Sequence, residues 1–333
     1  MSILQPHDLN VVYGMSTKVL SPLDWTLAMQ KKRANVSHKY LAFYSSYLGA
    51  ITADPAVMAV PLDDHLIHRG HGVYDTGTVA KGRLYEFRRH VARLLKSAEG
   101  AKIEHTFTES EIVARTIDTV RAAAVSDCSV RLWLSPGPGN FSVTAKNLEE
   151  PCLYILAYIS EGYPSPYTLI SEVTVRTSEV PMKDKASAAV KSVNYLLNAE
   201  MATEATRKGG FLGIWVDDEG FVKEGSVNNV SIVDKHGNFI TPSLDGILRG
   251  CTLLHVFEIL AENFVSVQQR PVTYEELLEA SEVVITGGDT HVYAVVNVDG
   301  ALIGNGVMGP VAKMVIDRIQ RELSDGDGDS ISV

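Results

Sequence analysis

Apolar positions along this chain follow two rhythms, one of helices and one of strands. Over residues 88–100, Val91, Leu94, Leu95 and Ala98 fall three and four apart, the spacing that lays one apolar stripe along a helix. Residues 109–123, 251–263 and 310–323 predict three further helices and 275–280 a short one. Pro22 opens another, with Leu23 and Leu27 at helical spacing, that runs to about residue 36. Short apolar or aromatic runs bounded by turn residues predict strands at 40–48, 57–61, 129–134, 153–159, 169–176, 230–233, 239–241 and 282–286. Two hairpins fit the same pattern, 78–80 with 84–87 across Lys81-Gly82 and 211–216 with 221–223 across residues 217–220. One more helix is expected to start at Lys191 and to run to about Lys208.

The mixture predicts an α/β chain of two domains. Residues 161–167 carry Pro164 and Pro166 between apolar strands and are expected as the linker. Before it lies a smaller unit, 1–160, which begins with an irregular extension over 1–39; after it lies a larger one, 168–323. The tail, 324–333, is expected to be flexible and acidic; it imitates the start of a calcium loop but has no closing glutamate. At 333 residues the chain is long enough for two cores of ordinary size. A formal net charge of -10 argues against a general nucleic-acid binder, because no basic excess exists to neutralise phosphates. Three scattered cysteines, Cys128, Cys152 and Cys251, give neither a disulfide framework nor a four-thiolate metal site, so a reducing compartment is expected. The first residues show no basic stretch followed by an apolar run, and no apolar segment approaches the roughly 20 residues needed to span a bilayer. A cytoplasmic location is the expectation, with an organelle left open if a presequence was removed.

Residues 191–229 concentrate the candidate chemistry. Lys191 stands at the mouth of its expected helix and Glu224 at the end of a buried strand. These are the two ionisable groups a pyridoxal phosphate site requires: an amine that forms the Schiff base, and an acid that keeps the pyridine nitrogen protonated. Lys191 differs from Lys183, Lys185 and Lys208 in its setting, between the small residues of 186–190 and the inward-packing Val193, Leu196, Leu197 and Met201. An amine desolvated there loses basicity and gains nucleophilicity. Three features suit a phosphate: the turn Gly246 to Thr252 entering a helix, the turn 286–290 after a strand, and Arg93. His65, His68 and His71, with Asp63 and Asp64 beside them, have a spacing that suits zinc on a helix. Gly70 and Gly72 break a helix there, so they are read as substrate-pocket or structural histidines and no metal is expected.

Four motifs in this order, His90-x-x-Arg93-Leu, Lys191-Ser-x-Asn194-Tyr-Leu, Glu224-Gly-Ser226-x-x-Asn229 and Gly246-Ile-Leu-x-Gly250-x-Thr252, resemble the class IV, fold-type IV aminotransferases. The resemblance runs from about Tyr40 to Leu323, and the wording around Pro61 to Val73 is similar to the plant-type D-amino-acid transaminases. It implies a pyridoxal-phosphate enzyme with its site between two domains, acting as a homodimer on a small amino donor and a 2-oxo acid in a ping-pong cycle. It implies Lys191 as the Schiff-base lysine and Glu224 as the partner of the pyridine nitrogen. It also implies Asn229 as the buttress of the glutamate loop, Arg93, Cys251, Thr252, Gly288 and Asp289 around the phosphate, and Tyr74 near the Schiff base.

The chain departs from that family at Ser231, at Leu253 and, most consequentially, at Pro136, which stands where bacterial D-amino-acid transaminases place a carboxylate-binding arginine. Arg131 and Arg69 are the expected replacements, with His71 and Tyr74 beside them in the substrate pocket. D-amino acids are the expected donors, with (R)-amines also accepted; the alternatives are a strict (R)-selective amine transaminase, a lyase of the aminodeoxychorismate type, a non-enzymatic carrier of the cofactor or binding module and, remotely, a metal hydrolase built on the histidine block.

Overall fold

The computed structural model describes residues 16–36, 38–159, 172–288, 291–326 and 328–333. In chain order these form α1 (Pro22–Arg33), a 3-10 turn (Ala34–Val36), β1 (Tyr40–Ser45), β2 (Ala50–Thr52), α2 (His65–Arg69), β3 (Val73–Ala80) and β4 (Arg83–Tyr85). Next come α3 (Phe87–Gly100), α4 (Glu109–Ala123), β5 (Cys128–Ser135), β6 (Cys152–Tyr158), β7 (Glu172–Thr177), α5 (Lys185–Ala188), α6 (Leu196–Arg207), β8 (Leu212–Val216) and β9 (Val222–Gly225). The rest is β10 (Asn229–Val233), β11 (Phe239–Thr241), α7 (Cys251–Glu262), β12 (Val267–Gln269), α8 (Tyr274–Glu279), β13 (Glu282–Gly287), β14 (His291–Val298), β15 (Ala301–Leu302), α9 (Pro310–Asp325) and β16 (Ser330–Ser332).

Two sheets organise these elements. The first runs β16-β4-β3-β5-β6-β1-β2; the second runs β12-β11-β10-β13-β14-β7-β8-β9, with β15 attached to β14. In the first, α3 and α4 bury Val91, Leu94, Ile112 and Val120 against Val79, Val130, Leu132 and Ile155. In the second, burial alternates with period two: Val283, Ile285 and Val295 pack on one face, while Val284, Val292 and Ala294 meet α7 and α9 on the other. Both faces are covered, so its central strands read as unbroken apolar runs. Helix starts are fixed by local chemistry. Thr108 with Glu111 and Thr273 with Glu276 form capping boxes on α4 and α8. The carboxylate of Glu282 reaches from β13 to accept the backbone N–H groups of Val311 and Ala312, at 3.0 and 2.8 Å, where α9 begins. Among the described residues, no helix is long and apolar enough to cross a membrane.

Several expectations are corrected. Residues 57–61 are not a strand: Pro55 and Pro61 bracket the segment and supply no N–H to a ladder. Its Met58 and Val60 instead pack on Phe43 and Tyr154, and β1 pairs with Ala50–Thr52. The helix expected from Lys191 begins only at Leu196. Residues 191–193 are extended and bonded to the start of β3, with Tyr74 N donating to Lys191 O at 2.9 Å and Val193 N to Gly72 O at 3.0 Å. The tail expected to be flexible extends α9 to Asp325 and then adds β16 to the edge of β4, where Ser330, Ile331 and Ser332 face Tyr85, Leu84 and Arg83. Its physical reason is the free edge of β4 and the apolar Ile331 and Val333, which pack against the first core. The expected linker, 161–167, lies outside the described residues.

Candidate active site

The docking of residues 191–193 on β3 brings Lys191 to the floor of a cleft lined by both sheets. Its backbone N–H donates to Ser97 Oγ of α3 at 3.2 Å, and the side chain is 9% exposed. The Nζ atom lies 3.4 Å from Tyr195 Oη and 4.7 Å from the centroid of the Tyr74 ring. The two tyrosine rings meet edge to face, 5.2 Å apart. Burial pushes the Tyr74 hydroxyl far above the ordinary phenol range, with the neighbouring Tyr195 adding to it. In Tyr195 burial acts the same way but is outweighed by the Lys191 ammonium, the Tyr74 hydroxyl and Lys183, so its phenol is the more acidic of the pair.

Glu224 ends β9 on the opposite wall. It is 5% exposed and accepts one backbone N–H, from Leu248 at 3.1 Å. Burial raises its pKa to about 7, against the pull of Lys183, the Leu248 amide and Lys191. Asn229, paired with Glu224 across β9 and β10, donates from Nδ2 to Leu248 O at 2.7 Å, so one asparagine ties the glutamate's strand to the turn before α7.

At the end of the cleft formed by α3, Arg93 is gripped by Asp75: Nε to Oδ2 and Nη2 to Oδ1, both 2.8 Å. His90 Nδ1 stands 2.8 Å from the same Oδ1. Burial opposes the Asp75 carboxylate, yet Arg93 and His90 hold it far below the usual range. Facing Arg93 are Gly250 and Thr252 at the start of α7 and Gly287-Gly288 at the end of β13. A Cβ on Gly288 would be a tight fit, 3.2 Å from both His90 Cε1 and Thr76 O. A Cβ on Gly250 would lie 2.0 Å from Asn229 Oδ1.

A match to the amino-transferase class IV family spans residues 72–298, and so takes in the lysine, the glutamate and both turns. The chain belongs to the class IV aminotransferases. Among its relatives is the chloroplastic D-amino-acid transaminase of Arabidopsis thaliana, 39% identical over 89% of this chain and 80% of that one. A putative branched-chain-amino-acid aminotransferase of Methanocaldococcus jannaschii is 29% identical over 82% of this chain and 94% of that one. The fold matches the branched-chain amino acid aminotransferase of Thermobaculum terrenum in its PLP form, with a TM-score of 0.77 at 21% identity over 87% of this chain and 96% of that one.

This aminotransferase depends on pyridoxal phosphate, and its cleft fits that group. Ser226 Oγ and Thr286 Oγ1 line it, are buried, and have no hydrogen-bond partner among the described residues, as hydroxyls meant for a polar guest would. The glycine-walled end beside Arg93 offers unblocked amides for an anion.

The structure brings Lys191, Glu224, Arg93, Asn229, Thr252, Gly288, Tyr74 and Arg131 to this one cleft. It does not bring Arg69 or His71 there. Arg69 donates to the carbonyls of Phe141, Ser142 and His68, and His71 bonds Ala101 O at 2.9 Å. Both face an outer hollow instead, because Gly70 closes α2 in the left-handed region, φ 61°, and turns them aside. Cys251 also departs from expectation: its side chain lies behind the cleft, toward His255 and His291, with its thiol pushed by burial to about 11. What it offers the cleft is its place in the first turn of α7. Asp289 lies outside the described residues. Among those described, no group of three His, Cys, Asp or Glu side chains is placed to hold a metal ion. Asp75, Lys183 and Ser226 were missed as site residues; Asp75, one residue beyond Tyr74 and fifteen before His90, carries no signal in a linear reading.

Proposed function

We propose that this aminotransferase takes the amino group of D-amino acids, stores it on the cofactor, and hands it to a 2-oxo acid at the same site. The observation that carries the reading is Arg131. It replaces the arginine missing at Pro136, whose loop is tied down through Ser135 Oγ to Asp64 at 2.7 Å. Arg131 projects from β5 with its Cζ 5.5 Å from the centroid of the Tyr74 ring, the ring that Lys191 also contacts. A planar guanidinium beside the reacting amine is a fork for the α-carboxylate of an amino acid.

In this reading Arg93, Thr252 and the Gly288 turn would hold the phosphate, and Lys191 Nζ would tether the cofactor and carry the proton at the substrate α-carbon. Tyr195 Oη and the Tyr74 ring orient that amine. Glu224, buried and short of partners, holds the pyridine nitrogen protonated. The bound cofactor supplies a ring that accepts the electron pair left on the α-carbon when its proton departs. The buried walls exclude water, which keeps the charges of Lys191 and Glu224 effective over short distances. A homodimer belongs to the same reading, supported by Leu62, Phe141 and Val143, which are 78, 65 and 78% exposed around the Arg69 loop; sedimentation at micromolar concentration tests it. The reading carries a location inside the cell, tested by fractionation.

The test is the visible spectrum of the purified holoenzyme, taken before and after addition of D-alanine or L-alanine. D-alanine alone should convert the cofactor band to that of the aminated form; conversion by L-alanine alone overturns the stereochemical reading. Arg131→Leu should raise the KM for D-amino acids by about tenfold or more, the worth of a charge-assisted pair, while sparing 1-phenylethylamine. Unchanged KM for the acids removes Arg131 from this role.

A further inference from the structure

Lys183 lines the same cleft, on the loop that leads into α5, and the amino-transfer reading gives it nothing to do. Its ammonium lies 4.9 Å from the centroid of the Tyr195 ring and forms no ion pair among the described residues. The acids near it are committed elsewhere. Asp184 caps α5, accepting from Ala186 N at 3.0 Å and from Ser187 Oγ at 2.6 Å. Asp245 pairs with Lys185, and Glu224 is bound to the Leu248 amide. Glu224 feels its charge without pairing with it, and a partly buried cation that forms no ion pair gains from a ligand that supplies one.

The arrangement around it sets which ligand. Lys191 contacts both tyrosine rings, Tyr74 at 4.7 Å and Tyr195 at 5.7 Å. Of these two rings, Arg131 reaches that of Tyr74, while also lying 5.5 Å from the Tyr158 ring, and Lys183 reaches that of Tyr195. The reacting amine thus shares one tyrosine ring with each of two further cations. The cofactor phosphate does not account for Lys183, because the glycine turns and Arg93 form the anion site at the α3 end of the cleft. With Arg131 assigned to the α-carboxylate, a substrate with a second carboxylate at the other end of a short carbon chain would bring that charge to Lys183.

We propose that Lys183 is a specificity residue that binds the distal carboxylate of dicarboxylic substrates, the five-carbon 2-oxo diacid and its amino acid among them. This rests on the amino-transfer reading and on Arg131 as the first carboxylate's partner. It adds no covalent step; Lys183 contributes a charge and hydrogen bonds at a fixed distance from Lys191.

The acceptor half-reaction tests it, because oxo acids have no α-stereocentre and the result stands whichever enantiomer is the donor. In holoenzyme in the aminated form, Lys183→Met should raise the ratio of the KM for 2-oxoglutarate to that for pyruvate by about tenfold, the worth of one charged hydrogen bond. Lys183→Arg should restore most of it. Taking the ratio cancels any effect of Lys183 on Glu224, which acts on both acceptors alike. Calorimetry gives a readout free of turnover: glutarate should bind the holoenzyme more tightly than butyrate, and Lys183→Met should abolish that preference. A ratio and a glutarate preference that survive the substitution overturn the proposal. If neither oxo acid is turned over by the parent enzyme, the amino-transfer reading falls, while calorimetry still decides Lys183.

Discussion

At Glu224 burial and charge oppose each other, and the outcome is measurable. Its proton is held more tightly in the folded protein, to about pH 7, than the ordinary 4.5 of an exposed glutamate. For a raised group the associated stability is complete at low pH and is lost as pH rises through the folded value. The cofactor-free protein should therefore lose up to about 3 kcal/mol between pH 4.5 and 7, and Glu224→Gln should flatten that slope. Thermal melts across this window check it; an unchanged slope in the variant means that another group titrates. If Lys191 has the role proposed above, Lys191→Ala should lower the turnover number by at least about 10³-fold, by removing both the tether to the cofactor and the proton carrier. Single-turnover kinetics with added amine would show whether the proton transfer is rescued. Asp75→Asn should weaken pyridoxal phosphate binding by about tenfold, because Arg93 would lose the carboxylate that fixes its fork. Fluorescence titration of the cofactor measures it, and unaltered affinity would mean that α3 alone places Arg93.

Among the elements, those whose apolar period was unbroken were legible in the sequence. The helix at 109–123 and the strand at 239–241 stand where their patterns place them. β14 was missed, though Val292 to Val298 is almost wholly apolar, because a strand buried on both faces lacks the alternation that marks a strand. The candidate site divides in the same way. Lys191, Glu224 and the α7 turn lie in contiguous motifs and could be found. Asp75 and Lys183 act through partners on other elements, and Arg69 was misplaced because nothing local tells which way a left-handed Gly70 sends it. The turn before α7 is the element most open to test. Gly250→Ala would drive a methyl into Asn229 Oδ1 and should weaken cofactor binding by about tenfold or more, read by the same titration. A tolerated alanine would show that Asn229 can move without loss.

For the whole molecule, the two sheets are joined by an ionic seam as well as by the cleft. Tyr85 Oη of β4 donates to Glu322 Oε2 of α9 at 2.5 Å, His255 Nε2 lies 2.7 Å from that oxygen, and Arg89 of α3 grips Glu258 of α7 at 2.7 Å. Burial lowers the basicity of His255, but Glu322 and Glu258 reverse it, so its proton is held above the ordinary 6.5. That contribution is present below the ordinary value and fades as pH rises through the elevated one. Glu322→Gln should reduce stability most at neutral and lower pH and least in alkali, as thermal melts can read; a loss independent of pH would make the seam one of packing. The return of β16 has a consequence for how the chain is made. Residues 330–332, which pair with the edge of β4, are made long after that strand. A nascent chain therefore carries that edge without its β16 partner until residues 330–332 have emerged, and in that interval chaperone capture competes with strand exchange between neighbouring polysomal chains.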